Sequence, residues 1–575
     1  MRAIPTTKRE QTRPRAGLAL LVLASILVLM ASVFPVAAAT ITIVNTDGLN
    51  EGFNDPTPAA PVGGNPGTTI GQQRLNVFTH AAGIWGGILP SSVTIRIQAA
   101  FNAQTCTATS AVLGSAGTIH VARDFPNAPF TGTWYHMALA NKLAGVDLEP
   151  GVNDINATFN SNINGSPSCL GGRTWYYGFD GNEGTNIELL PVVLHEMGHG
   201  LGFSSITDEV TGAFLNGFRD IWSIFMFDTD VGLHWDQMTN QQRAASAVNS
   251  LGLVWDGPAV KTMAPILLGP RPQIVVNAPV SIAGTYFAGV ASFGSPLTQG
   301  GLTGDVVLVA DNTGVSSTDA CEPVQNVVAG KIALIDRGNC TFTVKALNAQ
   351  NAGAIGVIVA DNVVASAPPS MGGSDPSVTI KVASLTQADG NTIKGQLGNG
   401  VNATLSLDPN LLAGANAQYQ VFLYAPNPLE SGSSVSHYDR SALPDLLMEP
   451  ALSTALSSGV DLTRYHFEDI GWLPRTTDVA DYGTRARFWG GAPNPFALAT
   501  TVRFDLSRTE RVDLVIYDVA GRLVRRLASG PMDPGSYTVL WDGTDDRGQT
   551  VAPGVYFSVF DGAGKRETQR LVRIR

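Results

Sequence analysis

Cysteine and histidine are scarce in this chain, four and eight among 575 residues. No two cysteines form a Cys-x-x-Cys knuckle, which argues against zinc held by thiolates. Charged residues are few, 14% of the total, and the basic ones are outnumbered, leaving a net charge of −11. Phosphate binding needs a concentrated cationic face, so a nucleic-acid partner is excluded. With 44% hydrophobic residues, the chain also lacks the composition of a disordered one. Beyond the N-terminal segment, no apolar run is long enough to span a bilayer.

What is present points to an exported, multidomain protein. The length exceeds one hydrophobic core and implies roughly two to four domains. Lys8, Arg9, Arg13 and Arg15 precede the apolar run from Ala16 to Val36, and Ala37, Ala38 and Ala39 follow as a small-residue cleavage site. Residues 1–39 therefore read as a signal peptide, with a membrane anchor as the alternative. The cysteines fall into two separated pairs, Cys106 with Cys169 and Cys321 with Cys340, which suits two disulfides formed in an oxidising compartment.

Along the chain, residues 40–274 alternate helix-like and strand-like segments, an α+β layout. Thr69 to Leu89 has helical periodicity, with Leu75, Phe78, Ala82 and Trp85 on one face. Residues 92–98 alternate as a strand, Trp134 to Leu143 reads as a helix, Asp154 to Asn160 as a strand, and Ile187 to Leu201 as a helix stopped by Gly202. Residues 275–410 carry continuous apolar runs separated by glycines, with a helix-like stretch from Thr341 to Ala352, as expected of an inserted sheet domain with its own core. Residues 411–475 return to mixed character. A joint at 476–493 then leads to alternating strands over 494–575, which read as a small all-β sandwich.

The chemistry concentrates at His195-Glu196-Met197-Gly198-His199. Two histidines four apart share one helical face and can aim nitrogens at a single ion, while Glu196 is offset towards the water such an ion holds. That arrangement is a zinc site with a carboxylate base. The apolar run Leu189 to Leu194 buries the helix, and Gly198, Gly200 and Gly202 leave room for close approach.

His195-Glu-x-x-His199-x-x-Gly202-Phe203 resembles the metzincin peptidases, in which a third ligand stands three residues after the glycine. Here that position is Ser205. One branch, similar to leishmanolysin, takes its third histidine from much further along, and this resemblance implies a zinc endopeptidase completed in that way. His437 is the expected third ligand, because Met448 follows it in Leu446-Leu447-Met448-Glu449-Pro450, the place of the methionine turn beneath the metal. His234 is the rival, with Asp208 or Glu209 as acidic alternatives; His80, His120 and His136 read as packing residues, and His466 lies in a helical run.

Residues 275–410 resemble a protease-associated domain, on Ala329-Gly-Lys-Ile-Ala-Leu-Ile-Asp336-Arg337-Gly-Asn-Cys340 and on Lys345 to Gly353. Asp336 and Arg337 read as a turn with a structural ion pair. The C-terminal module resembles the Ig-like domain of flagellar hook-capping proteins and related sorting domains, on Asn494-Pro495-Phe496, Ile516-Tyr517-Asp518, Trp541-Asp542-Gly543 and Gly554-Val555-Tyr556. This implies secretion machinery or a cell surface as a partner.

By the same family analogy, the segment containing Ile155 and Ala157 is an edge strand that holds peptide substrates. The segment Phe179 to Gly184 has the composition of a calcium loop without the remaining ligands, and reads as a turn. The expectation is an exported zinc endopeptidase with Glu196 as general base. The alternative is an inactive protease-like surface protein that binds through its two accessory domains.

Overall fold

The computed structural model describes residues 38–473, apart from 313, 365–366 and 452–459, and most of 487–574. The signal segment up to residue 37 and most of the expected linker at 476–493 lie outside the described residues. Residues up to 260 and 270–473 form one compact unit; 261–269 and the chain from 474 form a second.

The first unit begins with a mixed four-stranded sheet. Strands β1 (Ile41–Asn45), β2 (Ile95–Asn102) and β4 (Ile155–Asn160) run parallel, and β3 (Gly114–Thr118) pairs antiparallel with β4, giving the order β1-β2-β4-β3. Parallel neighbours need a crossover. Helix α1 (Ile70–Ile88) supplies the first, and helix α2 (Met137–Ala144) lies in the second. The core of this part therefore has βαβ character that the sequence pattern alone did not separate from α+β. Thr69 caps α1 by accepting a hydrogen bond from the Gln72 N–H. Its buried face is Val77, Phe78, Ala81, Ala82 and Trp85, whereas Leu75 is 38% exposed and lies off the expected stripe.

Three expectations move. The strand expected at 92–98 starts only at Ile95, the first residue to pair with β1, because Ser91 and Val93 close a small turn ahead of it. The helix expected from Trp134 starts at Met137, since Tyr135 and His136 pair with Val121 and Ala122 as a short strand. Ile155 and Ala157 do not lie on an edge. Strand β4 is enclosed between β2 and β3, both side chains are buried, and the edge belongs to β3.

Helix α3 (Leu189–Leu201) crosses this sheet and is buried along its whole length. It can do so because Gly200 carries no side chain: a Cβ there would overlap Ile155 Cγ2. Ile155 thus packs the helix onto the sheet.

The inserted domain is an eight-stranded sheet. Its stem is β5 (Pro270–Ala278) paired antiparallel with β12 (Asn402–Leu412), Pro270 opposite Leu412, so the boundaries expected at 275 and 410 fall within these two strands. The sheet continues from the stem through β8 (Leu302–Leu308), β9 (Ile332–Asp336), β10 (Gly356–Ala360) and β11 (Lys381–Leu385), with β6 (Gly284–Phe287) and β7 (Gly289–Val290) at the two ends. Strands β8 to β11 are parallel. Along β9, Ile332 and Leu334 enter one core, and Ala333 and Ile335 enter the other. Burial on both faces is why these strands read as unbroken apolar runs. Asp336 and Arg337 do not pair with each other: Asp336 meets Lys394, and Arg337 meets Asp361 at 2.9 Å.

In the second unit, strands within 487–574 form a three-stranded and a four-stranded sheet around Phe488, Phe504, Leu514, Ile516, Trp541 and Phe560. Both expected disulfides, Cys106–Cys169 and Cys321–Cys340, are formed in the first unit.

At an open site, Gly200→Ala would gain up to about 1 kcal/mol of helix propensity. Here the overlap with Ile155 outweighs it, so urea unfolding of this variant should show a net loss of about 1–3 kcal/mol. An unchanged or raised stability would refute the close approach of α3 to β4.

Candidate metal centre

Helix α3 presents His195 and His199 one turn apart, and the chain returning from the insert presents His437. The three Nε2 atoms lie 3.1, 3.1 and 3.2 Å from one another. All three rings are buried, at 7%, 9% and 4% exposure. Each is held from behind at Nδ1, where His195 meets Leu447 O, His199 meets Phe203 O and His437 meets Ser433 O, every one at 2.7 Å.

A carbonyl oxygen only accepts, so each Nδ1 carries the proton and each Nε2 presents a lone pair. Burial pulls His195 down to about 4, against the hydrogen bond to Leu447. Burial first, and His195 second, pull His199 down to about 3. Burial, then His199 and His195, hold His437 well below its ordinary value. Three neutral imidazoles thus face one point with acceptors alone and no proton to share. Nitrogens at these separations suit a common ion about 2.0–2.1 Å from each, and an all-imidazole donor set suits zinc.

Glu196 is buried at 8% exposure, and burial pushes its carboxyl up to about 8 against a hydrogen bond from the Ala116 N–H. Ala116 belongs to the edge strand β3, so the carboxylate lies against that edge. Met448 is fully buried against the helix, with its Sδ 2.7 Å from where a Cβ of Gly198, the residue before His199, would stand. Its carbonyl accepts from the Tyr438 N–H at 2.8 Å, tying the turn to the residue after His437.

Ser205 is near the centre without facing it as a ligand. Its Oγ bonds Asp220 at 2.8 Å, and its N–H donates to Ser436 Oγ at 3.2 Å, beside His437. The other candidates lie elsewhere: His234 meets Asp256 at 3.0 Å, Asp208 accepts the Val210 and Thr211 N–H groups, and Glu209 accepts from Gly432. His136 bonds Ser204 Oγ, His120 meets Glu149, His80 stacks on Phe179, and His466 stacks on Trp255. In the suspected calcium loop, Asp180 accepts from Tyr176 Oη and the Asn182 N–H; neither group of metal-competent side chains found among the described residues includes it.

Sequence reasoning missed what fixes the helix end. The last carbonyls of a helix lack intrahelical partners. Indole N–H groups from distant segments supply them: Trp472 donates to Leu201 O at 2.8 Å and Trp222 to Gly202 O at 2.7 Å, while Trp85 reaches Leu194 O further back at 3.1 Å. Gly202, at φ +122°, turns the chain so that the Phe203 N–H bonds Gly198 O at 2.9 Å. Trp85, Trp222 and Trp472 stand far apart in the sequence, with no periodicity that ties them to this helix.

The profile of the PA domain matches residues 302–393. The insert is a PA domain. The profile of the FlgD Ig-like domain matches residues 497–559, so the chain also carries an Ig-like domain of that kind. Vacuolar-sorting receptor 2 of Arabidopsis thaliana is 35% identical over 145 residues, 23% of this chain and 23% of its own length. Leucine aminopeptidase 2 of Trichophyton equinum is 37% identical over 102 residues, 18% of this chain and 20% of its own. The chain thus spans less than a quarter of either relative. A solved zinc aminopeptidase of Bacillus subtilis is 21% identical, covering 30% of this chain and 38% of that one, with a TM-score of 0.19.

His437→Ala should lower zinc content from about one per chain towards zero, while His234→Ala should leave it unchanged, as read by elemental analysis after dialysis. Equal zinc in both variants would overturn the assignment of the third ligand.

Proposed function

We propose that this chain is an exported, leishmanolysin-like zinc endopeptidase, with His195, His199 and His437 as metal ligands and Glu196 as general base. The observation that carries the reading is the convergence of three buried Nε2 lone pairs, each aimed by a backbone carbonyl behind it. Held there, zinc would lower the pKa of a bound water to about 7 and polarise a carbonyl oxygen.

The chain's own residues would do the rest. Glu196 takes the proton of the attacking water and returns it to the leaving amine. Burial alone raises its pKa, and a cation beside it would draw that value down, leaving the carboxylate ionised to accept the proton. Strand β3 has no further strand beyond it among the described residues, and along that edge an extended substrate could add as a further strand, close to Glu196. This edge replaces the segment of Ile155 and Ala157 as the proposed substrate strand. A chain held through its backbone along an edge, with its ends free, is cleaved internally, which favours endopeptidase action.

Two disulfides fit an oxidising compartment, and no described helix is long and apolar enough to cross a membrane. The Ig-like domain is proposed to engage secretion machinery or a cell surface.

Glu196→Gln should retain about one zinc per chain and lose casein hydrolysis by roughly 10²–10⁴-fold. Hydrolysis by the variant at the rate of the unaltered chain would sink the mechanism.

A further inference from the structure

Directly after helix α3 the chain runs through Phe203 to Thr207 without regular secondary structure, yet this stretch touches both halves of the histidine cluster. Phe203 O holds His199, and the Ser205 N–H reaches Ser436, the residue before His437. One side chain organises the stretch. Asp220 Oδ2 accepts from Ser205 Oγ at 2.8 Å, the Ile206 N–H at 2.5 Å, the Thr207 N–H at 3.0 Å and Thr207 Oγ1 at 3.2 Å. Its Oδ1 accepts from the Ser223 N–H at 2.7 Å and Ser223 Oγ at 2.5 Å.

Asp220 is 2% exposed. Neighbouring cations are committed elsewhere: Arg219 pairs with Asp236, and Arg243 donates to Gly212 O, Trp235 O and Asn240 Oδ1. A buried carboxylate without a salt bridge is costly unless hydrogen bonds replace its hydration. Six donors on two oxygens do so, and four of them come from the loop that joins the helical ligands to the distant one. Two residues along, Trp222 holds Gly202 O, so the segment from Asp220 to Ser223 clamps the whole exit of the helix.

We propose that Asp220 is a positioning residue for the metal site. It fixes the Ser205 N–H against Ser436 and thereby sets His437 at the Nε2 separations that the two helical histidines require. The inference rests on the proposed metal site, and deepens it by naming the group that registers its two halves. At Ser205, where the resemblance places a third ligand, the chain instead supports one.

The test uses the full chain in metal-free form. Zinc affinity is measured by chelator competition, cobalt(II) replaces zinc to read ligand geometry from its visible absorption, and thermal melts of the metal-free protein report folding. Asp220→Asn sets an amide N–H₂ among donors; zinc binding should weaken by about 10–100-fold and the cobalt bands should shift. Ser436→Ala removes only the acceptor of the Ser205 N–H, and should weaken zinc by about fivefold with an unchanged metal-free melt. Failure of the unaltered chain to bind zinc would overturn the proposed function itself. Unaltered zinc affinity and cobalt spectrum in both variants would overturn the role of Asp220 and leave that function standing. If Asp220→Asn does not fold, Ser436→Ala decides alone.

Discussion

Everything at the centre depends on three hydrogen bonds of one kind, from an imidazole Nδ1–H to a backbone carbonyl. Leu447, Phe203 and Ser433 supply the oxygens, and each bond does two things at once. It selects the tautomer, and it fixes the angle at which the free nitrogen leaves the ring. Backbone carbonyls suit the task because they cannot donate and do not change protonation state with pH. Their rigidity is borrowed from the surrounding fold. Leu447 is pinned by Asp461, whose carboxylate accepts the Leu447 N–H at 2.5 Å, and the loop of Ser433 is closed by Ser433 and Ser434 N–H groups on Glu430 O.

The helix that carries two of the histidines is held with the same economy of flexibility. A helix buried on every side cannot leave its terminal carbonyls to water, and its glycines let it approach a strand and a methionine more closely than a residue with a Cβ would. The indoles of Trp85, Trp222 and Trp472 satisfy carbonyls while filling volume, which combines packing and polar satisfaction in single side chains. Their origin in three remote segments means that the helix reaches its final position only when most of the surrounding unit has folded.

Local features were legible in the sequence. Four-residue spacing declared the histidine pair, unbroken apolar runs declared the doubly buried strands of the insert, and alternation declared those of the C-terminal sandwich. Properties defined by neighbours were not. The family analogy makes the strand of Ile155 and Ala157 a substrate edge; the short strand ahead of His120 is legible, but that Gly114 to Thr118 lies outside it at the edge depends on pairing alone. Leu75 fits a helical stripe and still faces outward, because the buried face runs through Arg74, Val77, Phe78, Ala81 and Trp85, to one side of it. Asp220 resembles any other surface aspartate in sequence; only the converging donors of Ser205, Ile206, Thr207 and Ser223 distinguish it.

The stem formed by β5 and β12 changes what the insertion means for the rest of the chain. Pro270 stands opposite Leu412, and the pairing continues inward from there. Seen from the histidine cluster, some 140 residues behave as a hairpin of fixed width, because the entropy of closing so long a loop is met within the insert's own ladder. His437 is remote from His199 along the chain and near it in closure cost. A length change beyond the stem leaves the separation of the stem's two ends unchanged, and so the span from Leu412 to the segment of His437 as well.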